Sequence, residues 1–232
     1  MSAPLAESPR LKVLRHRAAG TLVVHELYRS LQGEGTYSGL PCVFVRLSAC
    51  HLRCGYCDTP HAFHRGDALS LEAVFRRAID LGGDLVEITG GEPLLQAEVH
   101  PLMSRLADAG RTVLLETSGA LDIGPVDPRV HVILDLKTPG SGEVDANLWS
   151  NLDLLKPTDE VKVVVCDRGD FDWAIDRIRE HDLTSRVPVL MAAAHGQVDL
   201  RDLASWILSS LLPIRLQDQL HKRIWGADSR GI

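Results

Sequence analysis

Three of the chain's five cysteines stand within eight residues, in the run Cys50-His51-Leu52-Arg53-Cys54-Gly55-Tyr56-Cys57. Thiolates spaced C-x3-C-x2-C wrap one soft metal centre, zinc or iron–sulfur, in preference to a hard cation. An odd total with one tight cluster argues against a disulfide framework and for metal binding in a reducing compartment. No fourth cysteine is near. A structural zinc ion closes its tetrahedron, and His51, His61 or His64 is available to do so. A [4Fe–4S] cube on three thiolates instead keeps one iron open to chelate a cofactor. Cys42 and Cys166, in or at the end of apolar runs, read as core residues.

Around the cysteines the chain alternates apolar runs with amphipathic stretches. Residues 22–27 read as an accessory first strand. The Val-, Ile- and Leu-rich runs 42–47, 85–89, 112–116, 131–136, 161–165 and 187–191 suit parallel strands buried on both faces. Helices are expected over 71–81, after the cap Ser70, and over 96–109, before the stop Gly110. Two more are expected over 171–181 and 200–211. Residues 120–129, with two prolines and a glycine, read as a loop, and 144–152 as at most a short helix. Six parallel strands with reduced helices predict an α/β fold, a partial (β/α)6 TIM-like barrel. Residues 1–20 read as a flexible extension and 21–232 as a single domain.

This layout puts the cysteines, Gly90-Gly91-Glu92-Pro93, Thr117-Ser118-Gly119 and Lys137 at successive C-terminal strand ends, where barrel active sites are built. The net charge of −6 disfavours a sequence-independent grip on nucleic acid. No apolar run approaches the roughly 18 residues of a membrane span, and no signal-peptide core is visible, so a cytoplasmic enzyme is expected.

The C-x3-C-x2-C run, with Tyr56 beside its last cysteine, together with Gly90-Gly91-Glu92-Pro93, resembles the two signatures of the radical S-adenosylmethionine (SAM) superfamily. That resemblance implies a [4Fe–4S] cluster on Cys50, Cys54 and Cys57 that cleaves SAM. The flanks are more specific. Ser30-Leu31-Gln32-Gly33-Glu34-Gly35, the run from Gly39 to Leu47, Tyr56-Cys57-Asp58-Thr59 and the C-terminal run from Arg215 to Gly226, closing on Arg230-Gly231-Ile232, resemble the 7-carboxy-7-deazaguanine synthases of queuosine and deazapurine biosynthesis. The likeness covers roughly residues 22–232.

This family resemblance implies conversion of 6-carboxy-5,6,7,8-tetrahydropterin to 7-carboxy-7-deazaguanine with loss of ammonia, begun by a 5′-deoxyadenosyl radical at C6. By motif, Leu31, Gln32, Gly33, Glu34, Thr89 and His221 would contact the pterin, and Arg46 would meet its carboxylate through paired hydrogen bonds. Tyr56, Asp58, Gly90, Gly91, Glu92, Glu116, Ser118 and Lys137 would border SAM, and Thr59 would bind Mg²⁺. A homodimer and an external electron donor such as flavodoxin or ferredoxin are further implications.

The chain departs from the family at Ala49-Cys50-His51, where Gly-Cys-Asn is usual ahead of the second cysteine. It departs again at Asp135-Leu136-Lys137, where Ser-Pro-Lys is frequent, at Met191-Ala192-Ala193-Ala194, and at Ala227, where proline is common. SAM contacts at the fourth and sixth strand ends are therefore not transferred. Two other readings share some features: a glycyl-radical activating enzyme, and a non-enzymatic iron–sulfur or zinc module. The Leu-Gln-Gly-Glu-Gly and Gln-Leu-His-Lys segments argue against the first, and the convergence of motifs against the second.

Overall fold

Side chains of a strand alternate between its two faces, and that alternation organises this molecule. The structure, a computed structural model, describes residues 8–15, 17–226, 229 and 231. In chain order its main elements are β1 (Thr21–Leu31), β2 (Pro41–Leu47), β3 (Asp67–Ser70), α1 (Leu71–Asp80), β4 (Leu85–Gly90), α2 (Val99–Asp108), β5 (Thr112–Thr117) and β6 (His131–Leu136). There follow α3 (Asn151–Leu154), β7 (Glu160–Val165), α4 (Arg168–Glu180), α5 (Leu183–Arg186), β8 (Val189–Ala193), α6 (Leu200–Ser210), β9 (Arg215–Gln217) and α7 (Leu220–Trp225).

One sheet runs in the order β3-β1-β2-β4-β5-β6-β7-β8-β9. Every pair from β2 to β9 is parallel, while β1 is antiparallel to both its neighbours. The sheet is open, with β3 and β9 as its edges. The α/β fold is the expected partial barrel, an open and mostly parallel sheet, with β9 as an additional parallel strand.

Val43, Val45, Val86, Ile88, Val113, Leu115, Val161 and Val163 point to one face and form the core with Val74 and Ala78 of α1, Leu102 and Met103 of α2, and Phe171 and Ile178 of α4. Burial of these apolar side chains is the main force holding the helices to the sheet. The opposite face is not apolar throughout: Arg46, Glu87, Thr89, Glu116, Asp135 and Lys162 point from it into a cavity. The runs that read as buried on both faces are therefore apolar toward the helices and polar toward the site.

Local differences from the expected elements have identifiable causes. Helix α1 starts as expected, with Ser70 Oγ accepting from Ala73 N at 3.2 Å. Helix α2 starts only at Val99, because the buried Gln96 is committed elsewhere. Its Oε1 accepts from Val23 N at 2.8 Å and its Nε2 donates to Val23 O and Ser48 O, clamping β1 to the end of β2. Strand β8 begins at Val189 because Pro188 has no N–H for the ladder. Strand β1 extends to Leu31, held by pairing with β2 as far as Leu31–Pro41. The exposed β3 and the three-residue β9 carry no apolar pattern and were not expected; residues 120–129 form a loop, as expected.

Of the segment expected as an extension, residues 1–7 and His16 lie outside the described residues, as do Ala227, Arg230 and Ile232. Pro9–Leu14 forms a 3-10 helix, and the Arg10 guanidinium donates to the His51 carbonyl at 2.7 Å. Arg17 pairs with Glu98. Among the described residues no helix is long and apolar enough to cross a membrane.

Candidate active site at the strand ends

The three cysteines follow β2 on a loop that packs on Leu52 and Phe63, and all three line the cavity. They form no disulfide. Burial pushes the Cys50 thiol up to about 12 and also raises Cys54, so a bound cationic centre is what would hold them as thiolates. Among the described residues the one triple of ligand atoms lying within 4.8 Å of one another is elsewhere. The three cysteine sulfurs are thus not all within 4.8 Å of one another. Of the histidines considered as a fourth ligand, His64 is exposed, and His61 turns toward Glu26.

The paired glycines after β4 lie against the chain's own backbone. A Cβ on Gly91 would sit 2.0 Å from the Ala49 carbonyl oxygen, and one on Gly90 2.0 Å from that of Leu47. Gly91 N donates to Leu47 O at 3.0 Å and Glu92 N to Ala49 O at 2.8 Å, joining this turn to the start of the cysteine loop. Ala49 itself has φ of 78°, the left-handed region that favours glycine, at the position where the family usually has one. Glu92 does not line the cavity. It is fully buried, with its carboxylate accepting from Leu94 N, Thr117 Oγ1, Ser118 N and Ser118 Oγ. It fixes the end of β5, so that Ser118 faces the cavity while Glu92 stands behind it.

A network of buried charges forms the floor. Lys162 binds both Glu34 and Glu116, the latter at 2.7 Å. Burial disfavours its charge, but those carboxylates and Asp135 outweigh burial and hold its pKa well above the ordinary value. Glu116 also accepts from Thr89 Oγ1 at 3.0 Å and is held low by Lys162 against its burial. Among the described residues no cation pairs with Glu87. Burial, then the Glu116 charge, push it up to about 8, so it stays largely protonated at neutral pH, and the Gln32 amide donates to it. Arg46 donates to Tyr28 Oη at 3.3 Å and lies 3.5 Å from Glu26. Lys137 pairs with Asp135 at 2.6 Å and lies 5.7 Å from the centre of the Tyr56 ring. Among the described residues Tyr56 Oη and Asp135 Oδ1 are buried with no hydrogen-bond partner, polar atoms aimed at a space that a polar ligand would fill.

The C-terminal segment closes the cavity. Gln217 and Gln219 donate to Glu34 at 2.7 and 2.8 Å, and Leu220 N donates to Gly33 O at 3.1 Å. A Cβ on Gly33 would come within 2.6 Å of His221 Nδ1, so only glycine allows this seat. Lys222 reaches Asp58 at 3.0 Å; burial opposes the Asp58 charge, but Lys222 and Gln219 draw its pKa down to about 2.

All the expected site residues except Glu92 are brought to this one cavity: Leu31, Gln32, Gly33, Glu34, Arg46, Tyr56, Asp58, Thr59, Thr89, Gly90, Gly91, Glu116, Ser118, Lys137 and His221 beside the cysteines. Glu26, Tyr28, Glu87, Asp135, Lys162 and Lys222 also line it and were not expected. The signal for three of them, Glu87, Asp135 and Lys162, is a charged residue on the cavity-facing parity of an apolar strand. Cys42 is core, whereas Cys166 is only half-buried at the end of β7.

Known proteins share the chain's family and fold. A family model of the radical SAM superfamily matches residues 45–199. The chain is 43% identical over 224 residues to the 7-carboxy-7-deazaguanine synthase of Koribacter versatilis, covering 90% of this chain and 99% of that one. It is 42% identical over 214 residues to that of Chlorobaculum tepidum, covering 91% and 97%. In fold it is similar to the crystal structure of QueE from Escherichia coli, with a TM-score of 0.68 at 24% identity over 90% of this chain and 97% of that one. It is also similar to Streptococcus suis SuiB bound to S-adenosylmethionine, with a TM-score of 0.54 at 17% identity over 76% and 50%.

Proposed function

Because the chain belongs to the radical SAM superfamily and, within it, to the 7-carboxy-7-deazaguanine synthases, we propose that its cavity contracts the ring of 6-carboxy-5,6,7,8-tetrahydropterin. The product is 7-carboxy-7-deazaguanine, released with ammonia, for deazapurine biosynthesis. A [4Fe–4S] cluster, SAM and Mg²⁺ are the cofactors. When bound, the cluster and SAM supply the electron and the hydrogen-abstracting radical, chemistry that belongs to the cofactors.

The protein's part is to hold and orient. Cys50, Cys54 and Cys57 are the cluster ligands, and Thr59 offers its hydroxyl to Mg²⁺. Tyr56, Gly90, Gly91, Ser118 and Lys137 form the SAM side, where the unpartnered Tyr56 Oη and Asp135 Oδ1 are ready for a polar ligand. Arg46 receives the substrate carboxylate. A pterin edge carries hydrogen-bond donors and acceptors together, and the floor offers both kinds. The Gln32 amide and a protonated Glu87 can donate, while Glu34 and Glu116 accept. Thr89 and His221 complete that side. Asp58 acts by holding α7 through Lys222.

The observation that carries this reading is the single cavity shared by the cysteine loop and the Gln32–Glu87 and Lys162–Glu116 pairs. A glycyl-radical activating enzyme must admit a segment of protein, and the hydrogen bonds of Gln217, Gln219 and Leu220 across the mouth disfavour that. We further propose that the enzyme works in the cytoplasm as a homodimer, reduced by an external donor such as flavodoxin or ferredoxin.

Arg46→Met tests the substrate assignment. The KM for the pterin is expected to rise at least tenfold, with cluster content unchanged. An unchanged KM would assign the carboxylate to another residue.

A further inference from the structure

Neighbouring residues of a strand ordinarily face opposite ways, yet His25 and Glu26 of β1 face the same carboxylate-centred cluster. The cause is a break in the β1–β2 register between Val24 and Glu26; such irregularities re-aim side chains beside functional sites. His61, on the loop after the cysteines, completes the group. One ligand atom from each of the three lies within 4.8 Å of the others. His25 Nε2 is 3.4 Å and His61 Nε2 is 3.7 Å from the same oxygen, Glu26 Oε1. The two imidazole rings are 5.0 Å apart and tilted by 49°.

These separations are longer than hydrogen bonds. They are close to the about 3.3 Å between ligand atoms on a tetrahedral ion with bonds of 2.0 Å. The orientation of His25 is fixed from behind: its Nδ1 lies 2.9 Å from the Arg65 carbonyl, which can only accept. Nδ1 is therefore the donor to that carbonyl, which leaves Nε2 as the ring atom that would ligate an ion, the outer-shell arrangement of ligating histidines. Glu26 turns its other oxygen toward Arg46 at 3.5 Å, leaving Oε1 to the two histidines. All three side chains are four-fifths or more shielded from solvent.

We propose that His25, Glu26 and His61 form a second metal site, for a borderline divalent transition ion such as zinc. Two imidazoles and a carboxylate suit such an ion, whereas Mg²⁺ prefers oxygen ligands alone. Three protein donors leave a fourth position open, and Glu26 and His61 line the main cavity, so a water or carboxylate oxygen there can fill it. The site rests on these residues and is independent of the reaction proposed above.

The test uses the cluster-loaded protein under anaerobic conditions, dialysed against buffered zinc, with zinc, iron and sulfide measured per chain. One zinc is expected with iron and sulfide unchanged, and its X-ray absorption should show a nitrogen and oxygen shell at about 2.0–2.1 Å. His25→Asn and His61→Asn should each weaken zinc binding at least tenfold at unchanged cluster content. Failure of the wild type to retain zinc would overturn the site. So would a sulfur shell at about 2.3 Å, loss of iron on zinc uptake, or zinc binding unaltered by both substitutions.

Discussion

Lys162 Nζ lies 2.7 Å from Glu116 Oε1 and also binds Glu34, so one buried cation ties β7 to β5 and to the loop after β1. The three strands or loops meet at the cavity floor, where the charges of Lys162, Glu34 and Glu116 compensate one another.

Removing the cation should therefore do more than remove one contact. Lys162→Met leaves two carboxylates, Glu34 and Glu116, without the cation they share. Breaking a buried pair in this way costs about 3–5 kcal/mol. Denaturant unfolding should show a loss of that size together with loss of product. A variant as stable as the wild type would mean that solvent reaches the floor.

Glu87 gives a pH signature. Its folded pKa, about 8, lies above the ordinary carboxyl value, so its stabilisation is complete below that ordinary value and is lost as pH rises toward 8. Above pH 8 the ionised Glu87 also faces the Glu116 charge. Stability and turnover should fall across this window in the wild type, and Glu87→Gln should lack that component. Parallel pH profiles for the two proteins would contradict the assignment.

Much of this site was legible in order and little of it in function. Leu31–Glu34, Arg46 and the cysteines stand in recognisable runs, and their positions at strand ends bring them together. Glu87, Asp135 and Lys162 share another pattern, a charge within each apolar strand, but an apolar run reads as buried on both faces whether or not one face lines a cavity. Glu92 is opaque for a different reason. It stands beside the paired glycines in a motif, while its four donors, at Leu94, Thr117 and Ser118, are visible only in three dimensions. The edge strand β3 and the late start of α2 depend on pairing partners and on Gln96, which no local pattern reports.

Gly91 is held against the chain's own backbone. In Gly91→Ala the new methyl would collide with the Ala49 carbonyl, 2.0 Å from its Cβ. Overpacking of this kind costs about 1–3 kcal/mol, and here the displaced segment leads straight into Cys50. Iron and sulfide per chain should drop along with stability. Full cluster loading at wild-type stability would show that the turn can move freely.

Asp58→Asn should separate closure from stability. The carboxylate pairs with Lys222 while remaining partly exposed, so its loss should cost no more than about 1 kcal/mol. Freed from that pair, α7 should hold His221 less firmly, and the KM for the pterin should rise while cluster content stays constant. The depressed pKa of about 2 means that the pair's stabilisation is present above the ordinary carboxyl value and fades as pH falls toward 2. Unaltered kinetics would remove α7 from the substrate site.

The most direct measurement is anaerobic turnover of the reconstituted protein with SAM, Mg²⁺, a reductant and 6-carboxy-5,6,7,8-tetrahydropterin, read by mass spectrometry. The expected result is 7-carboxy-7-deazaguanine from the wild type and none from Cys54→Ala. Formation of 5′-deoxyadenosine without that product, or of neither compound by protein with an intact cluster, would contradict the assigned reaction.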